Sequence, residues 1–123
     1  MHFRTYKEEN HPVRSRTPDR DYFARAIAAV EARLGPVARL ELISDDPELA
    51  LRRLGDIGRE VVARPGASAW DDLSTMMNAT ALILTNSSFS WWGGFCGRAT
   101  AVIYPRRDGL FHYPAPSARF DCL

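Results

Sequence analysis

The chain has 123 residues, enough for one domain with a single core, and its 46% hydrophobic and 25% charged residues are typical of globular proteins. Its formal net charge is only +1, so no overall positive field would gather nucleic acid or an anionic membrane. Two cysteines and three scattered histidines exclude a disulfide framework and do not have metal-ligand spacing. No apolar stretch approaches the about 18 residues of a transmembrane helix, and no signal peptide is visible. We therefore expect a soluble, cytoplasmic protein without a metal.

The first predicted elements are a strand at "HFRTY" (residues 2–6) and a long helix in "TPDRDYFARAIAAVEARLGP". Thr17 is the predicted N-cap and Pro18 the first helical residue, and Gly35 and Pro36 end the helix. Apolar residues recur at spacings of three and four, which predicts one buried helix face: Phe23, Ile27, Val30 and Leu34.

The next predicted elements are a strand at "ARLELIS" (residues 38–44) and a second helix. Asp45 or Asp46, followed by Pro47, is the predicted start of this helix, which ends near Leu54. A short strand at "EVVAR" then precedes a third helix.

The third helix begins with a predicted capping box between Ser68 and Asp71. The runs "ALILT" (residues 81–85) and "AVIYP" (residues 101–105) are almost wholly apolar, as in strands buried on both faces. Strands and helices thus alternate along the chain. This order predicts an α/β fold with a Rossmann-like parallel sheet flanked by helices.

Four polar clusters follow the predicted strands: residues 4–8, 44–46, 86–88 and 106–107. The carboxyl ends of parallel strands lie at one edge of a sheet, where ligands bind in open α/β folds. We therefore expect these clusters to meet at a binding site.

Each of several polar or aromatic residues also has an ordinary structural interpretation. Capping explains one of the two acidic residues before the second helix. Arg106 and Arg107 are readily a solvated pair, and His2 is readily a hydrogen-bonded core histidine. Trp91 and Trp92 are expected to be packing aromatics.

The segment Asn86, Ser87 and Ser88 has no such simple interpretation. One cap residue satisfies a helix start, whereas three small polar residues beside helix amides form a cradle for phosphate. Gly93 and Gly94 cost roughly 1 kcal/mol each in a helix, so the sheet or a ligand must approach closely. The segment predicts an anion site, most simply for the pyrophosphate of a nucleotide.

The segment "TNSSFSWWGGFCG" closely resembles the C-terminal signature of the α-1,2-fucosyltransferases, glycosyltransferase family 11. Further segments resemble motifs of that family in the same order: "HFR", "DYFARAI", "ISDDPELA" and "WDDLSTMMNA". The resemblance runs from His2 to about Pro105, which is nearly the whole chain.

The resemblance implies a fold and an activity. The chain would be the C-terminal, donor-binding half of a GT-B enzyme that moves fucose from GDP-fucose to a sugar hydroxyl of a glycan acceptor, with inversion and without metal or cofactor. Residues 1–123 would form one donor-nucleotide-binding domain, truncated at its N-terminus and acting with a missing half or partner subunit. A bacterial cytoplasm is the expected location.

The resemblance also implies roles for individual residues. Arg4 would neutralise the leaving diphosphate, and His2 would help to shape that site. Ser87 and Ser88, with the helix N-terminus, would hold phosphate. Asp45 or Asp72 would contact the nucleoside or order the pocket, and Asn86 and Phe89 are also expected to bind substrate.

The chain departs from the family's first motif after Arg4, where Thr5-Tyr6-Lys7-Glu8 stand in place of the usual R-G-D-Y. The alternative hypothesis is therefore a non-catalytic GDP-sugar-binding module or an inactive fragment. An unrelated Rossmann-type nucleotide binder is less favoured, because the sequence contains neither G-x-G-x-x-G nor a P-loop.

Overall fold

A computed structural model describes residues 1–5, 18–65, 68–106 and 117–123. Its elements alternate along the chain: β1 (His2–Phe3), α1 (Arg20–Leu34), β2 (Arg39–Ser44), α2 (Pro47–Leu54), β3 (Glu60–Ala63), α3 (Ala69–Asn78), β4 (Ala81–Ile83), α4 (Ser88–Cys96), β5 (Ala101–Tyr104) and β6 (Phe120–Cys122). The predicted Rossmann-like α/β fold is confirmed.

Backbone hydrogen bonds join the strands into two three-stranded sheets, in the orders β1-β2-β3 and β4-β5-β6, and every pair is parallel. The two sheets meet where the Arg4 amide donates a 2.9 Å hydrogen bond to the Thr85 hydroxyl. Read across this contact, the order is β3-β2-β1-β4-β5-β6, that of a doubly wound fold. The strand order reverses between β1 and β4, which is where such folds bind ligands.

Two apolar clusters cover the two faces of the strands, and each takes residues from both sheets. Side chains alternate between faces along a strand, so Leu42 and Ile103 join the cluster with α1 and α2, whereas Ile43 and Val102 join the cluster with Met76 of α3. The shared clusters hold the two sheets together as one unit.

Tyr22 of α1 forms hydrogen bonds with the second sheet, β4-β5-β6. Its buried hydroxyl lies 2.7 Å from the carbonyl oxygen of Leu84 and 3.3 Å from that of Ile103. Burial raises the pKa of the Tyr22 hydroxyl well above its usual value, so the group stays protonated and acts as a donor. This contact fixes the end of β4, directly before Thr85.

The start of α1 differs from the prediction. Asp19 is the N-cap, and its carboxylate accepts a 2.8 Å hydrogen bond from the Tyr22 amide. Pro18 precedes the helix, and Thr17 lies outside the described residues. The prediction was wrong because aspartate caps as well as threonine, and proline is equally compatible with the extended residue before a cap.

The other helix starts agree with the sequence. Asp46 caps α2, and Ser68 and Asp71 form the predicted capping box of α3. Strand β6 was missed because only three residues form it, without an apolar run.

Candidate functional site

The carboxyl ends of β1 and β2 meet at the carboxylate of Asp45. Its Oδ1 accepts hydrogen bonds of 2.7 Å from the Thr5 amide and 2.9 Å from the Thr5 hydroxyl. Its Oδ2 lies 3.6 Å from Nε of Arg4. The fold thus brings together two of the predicted site residues, Arg4 and Asp45, beside the point where the strand order reverses.

Burial distinguishes the two members of this ion pair. The side chain of Asp45 is 7% exposed, whereas that of Arg4 is 45% exposed. Burial opposes ionisation of Asp45, but the hydrogen bonds from Thr5 and the charge of Arg4 outweigh it and hold the pKa below its usual value. Asp45 is therefore a carboxylate at neutral pH, while the Arg4 side chain reaches the surface.

The first turn of α4 lies at the end of β4, on the other side of this point. Ser87 is the N-cap, but its side chain makes no capping hydrogen bond. Its amide donates to the Thr85 carbonyl at 2.8 Å, and its carbonyl accepts from the Trp91 amide at 3.0 Å. Ser88 is exposed. The partial positive charge of the helix N-terminus and these hydroxyls are suited to an anion.

His2 lies buried between β1 and α4. The residue is 3% exposed, its ring centroid lies 6.1 Å from that of Phe89, and its Nδ1 has no hydrogen-bond partner among the described residues. Burial, with the nearby positive charges of the amino terminus and Arg4, lowers the pKa of His2 to about 3. The burial of His2 agrees with the core interpretation, and the ring is neutral at physiological pH.

The neutral state of His2 predicts a dependence of stability on pH. An unfolded histidine has a pKa near 6.5, so below that pH the unfolded chain binds a proton that the folded chain does not. Folding stability should therefore fall as the pH falls from about 6.5 toward 3. Between pH 7 and pH 5 the contribution of His2 is about 2 kcal/mol.

Urea denaturation of the parent and His2→Gln at both pH values measures this contribution. The variant should lose about 2 kcal/mol less stability than the parent over the interval, because glutamine does not titrate. Equal losses in the two proteins would contradict a buried, neutral His2.

The remaining predicted residues lie around this edge. Asn86 is half-buried at the end of β4. Asp72 lies in the first turn of α3, where burial raises its pKa, Arg64 lowers it and Asp71 raises it further. Asp72 thus lies near the charge of Arg64, directly after β3, and near that of Asp71 on its own helix. Arg106 is exposed after β5, as predicted, and Arg107 lies outside the described residues.

Sequence reasoning missed Thr5 and Thr85, which join the strand ends. Both are buried, and each uses its hydroxyl in a contact between strands: Thr5 with Asp45 and Thr85 with the Arg4 amide. A threonine directly after a strand is common, so only position at the predicted edge gave any signal.

Close packing within the protein accounts for Gly93 of α4 and for Gly97, the C-cap residue of this helix. A Cβ on Gly93 would lie 2.9 Å from Cβ of Met76, and one on Gly97 would lie 2.5 Å from the Gly93 carbonyl oxygen and 2.7 Å from Cα of Met77. Close packing of α4 on α3 therefore explains these positions without a ligand.

The two tryptophans of α4 differ. Trp91 packs on Phe95 and Phe120, with ring centroids 5.0 Å and 5.8 Å apart, as predicted for a packing aromatic. Trp92 is 55% exposed, with only the edge contact to Trp91 and the contact to Phe95 among its described ring contacts. The packing prediction was wrong for Trp92, because it faces away from the sheet.

A cavity of about 360 Å³ lies at the opposite, amino edge of the strands. Its lining includes Met1 before β1, Leu40 of β2 and Ala81 of β4. Leu34, the last residue of α1, and Ala79, the C-cap residue of α3, also line it. Helix C-termini carry partial negative charge and disfavour phosphate, so this cavity is a poorer anion site than the carboxyl edge.

Two features are absent from the described part of the chain. No helix there is long and apolar enough to cross a bilayer. No group of three or more His, Cys, Asp or Glu side chains there is arranged to hold a metal ion.

The strand order and the polar carboxyl edge place the chain in the class of Rossmann-like α/β domains. Comparison with known families matches residues 9–110 to glycosyl transferase family 11. The chain belongs to this family and is thus of the glycosyltransferase type. The matched span begins after His2 and Arg4, so their roles depend on the geometry and on the short motif. No curated protein and no solved structure matches the chain.

Proposed function

We propose that the chain is the donor-binding half of a GT-B fucosyltransferase and binds GDP-fucose at the carboxyl edge of its strands. It acts with a second half or subunit that holds the glycan acceptor. Arg4 and the first turn of α4 contact the diphosphate, His2 and Phe89 form the wall beneath it, and Asn86 and Asp72 lie toward the rest of the donor.

One observation carries this proposal. Arg4, directly after β1, and the N-terminus of α4, after β4, flank the point where the strand order reverses, and Thr85 joins them. Two sources of positive potential at such a point suit a nucleoside diphosphate. Membership of glycosyl transferase family 11 supports a sugar carried on that diphosphate.

The assigned chemistry concerns the leaving group. In transfer with inversion, the acceptor oxygen bonds to the anomeric carbon as the bond to the β-phosphate oxygen breaks on the opposite face, and the acceptor hydroxyl loses its proton. GDP departs with an additional negative charge. A guanidinium and a helix N-terminus stabilise that charge without a divalent cation.

Calorimetry with GDP, UDP and ADP tests the proposal. The resemblance to the fucosyltransferase motifs, which several segments of the chain carry in the same order, predicts that GDP binds more tightly than the other two diphosphates. A chelator should leave the affinity for GDP unchanged, because protein groups supply the positive charge. Equal affinities for the three diphosphates, or no binding of any of them, would contradict the donor-binding role. A requirement for magnesium would contradict binding without a metal.

A further inference from the structure

We propose that Asp45 is a positioning residue, which holds Arg4 and the end of β1 in the geometry that a diphosphate requires and does not itself contact the ligand. This inference rests on the proposed function. The family resemblance implies that Asp45 either contacts the nucleoside or orders the pocket, and the inference selects the second role and gives it a mechanism. Its basis is the convergence of three groups on one buried carboxylate: the amide and hydroxyl of Thr5 and the guanidinium of Arg4, the two residues that follow β1.

Both oxygens of Asp45 are directed at the two residues that follow β1, Arg4 and Thr5. Oδ1 accepts from the amide and the hydroxyl of Thr5, at 2.7 Å and 2.9 Å. Oδ2 is buried, has no hydrogen bond within the described part of the chain and lies 3.6 Å from Nε of Arg4. A ligand would therefore have to displace Thr5 or Arg4 to reach this carboxylate.

Charge also argues against direct contact with the diphosphate. Asp45 is ionised at neutral pH, and two anions in contact repel each other. The same charge is favourable when it acts through a cation, because a carboxylate beside Nε restricts how the guanidinium turns. Arg4 then presents its charge in one orientation, and less conformational freedom is lost when phosphate binds.

The direction in which one substitution changes the affinity for GDP distinguishes a positioning role of Asp45 from a simple electrostatic effect. Removing any carboxylate near an anion site should tighten anion binding. Asp45→Asn keeps an oxygen that accepts from Thr5 but removes the charge beside Arg4, so positioning predicts weaker GDP binding, by about tenfold. Asp46→Asn is the matched control, since asparagine also caps α2 and the neighbouring charge is removed equally. It should bind GDP as the parent does, or up to about twofold more tightly.

A double-mutant cycle then tests whether Asp45 acts through Arg4. The double variant Arg4→Ala, Asp45→Asn should bind GDP within about twofold of Arg4→Ala alone, because a positioning residue has nothing left to position. Additive losses would mean that Asp45 contacts the ligand independently and would overturn the inference.

The outcomes distinguish this inference from the proposed function. If the parent fails to bind GDP, both the proposed function and the positioning role of Asp45 are wrong. If the parent binds GDP and Arg4→Ala weakens binding, but Asp45→Asn binds GDP as well as the parent or more tightly, only the positioning role is wrong. It is also wrong if thermal unfolding shows that Asp45→Asn does not fold, since the carboxylate then maintains the fold.

Discussion

Gly97→Ala is expected to lower the free energy of unfolding by about 3 kcal/mol or more. The added methyl group would lie 2.5 Å from the Gly93 carbonyl oxygen, 2.7 Å from Cα of Met77 and 2.9 Å from the Met77 carbonyl oxygen. All three are backbone atoms of α3 and α4, so no side chain can turn aside to relieve the overlap. Urea denaturation, followed by circular dichroism, measures the change.

Gly94→Ala is the matched control on the same helix. Its methyl group would lie 3.0 Å from Cγ1 of Val102, a side-chain atom that can shift slightly. Alanine also favours a helix over glycine by up to about 1 kcal/mol, which offsets the crowding. We expect a net change of less than about 1 kcal/mol, and equal losses in the two variants would contradict the close packing of α4 on Met77.

Arg4→Ala is expected to weaken GDP binding by about 1.5–3 kcal/mol, or roughly ten- to a hundred-fold. In the proposed site Arg4 lies beside the diphosphate, because it follows β1 at the carboxyl edge and corresponds to the arginine of the family's first motif. Its planar guanidinium donates hydrogen bonds in pairs, which suits phosphate oxygens. Calorimetry with the parent and the variant gives the two affinities.

Arg4→Lys distinguishes the guanidinium from its charge. Lysine retains a positive charge beside Asp45 but has no planar fork, so it should restore little of the lost affinity. Arg106→Ala, an exposed arginine at the end of β5, should change the affinity far less. Parent-like binding by Arg4→Ala, or unfolding of that variant in a thermal control, would refute the assignment of Arg4 to the diphosphate.

Gly97 also illustrates what the sequence could not predict. Local signals identify elements, because caps and apolar runs act over a few residues: the Ser68 capping box and the β4 and β5 runs were predicted correctly. The reason for the glycines of α4 depends on Met76 and Met77 of another helix. Contacts of this kind are not encoded at any one position.

The candidate site, too, was only partly predictable from the sequence. Position at the strand ends predicted that Arg4 and Asp45 would be neighbours, since parallel strands end at one edge. Nothing in the sequence indicated that both oxygens of Asp45 would be directed at the residues that follow β1, or that Thr85 would receive the Arg4 amide. Those contacts depend on the register between β1 and β2 and on where the two sheets meet.

Amide hydrogen exchange with and without GDP tests the location of the site most directly. If GDP binds at the carboxyl edge of the strands, it should slow exchange at residues 3–5 and 85–89, where β1 ends and α4 begins. The apolar cavity at the amino edge is the competing location, and it is lined by Leu34, Val37, Ala79 and Ala81. If GDP slows exchange around those residues and does not slow it at the carboxyl edge, the proposed location of the GDP site is wrong.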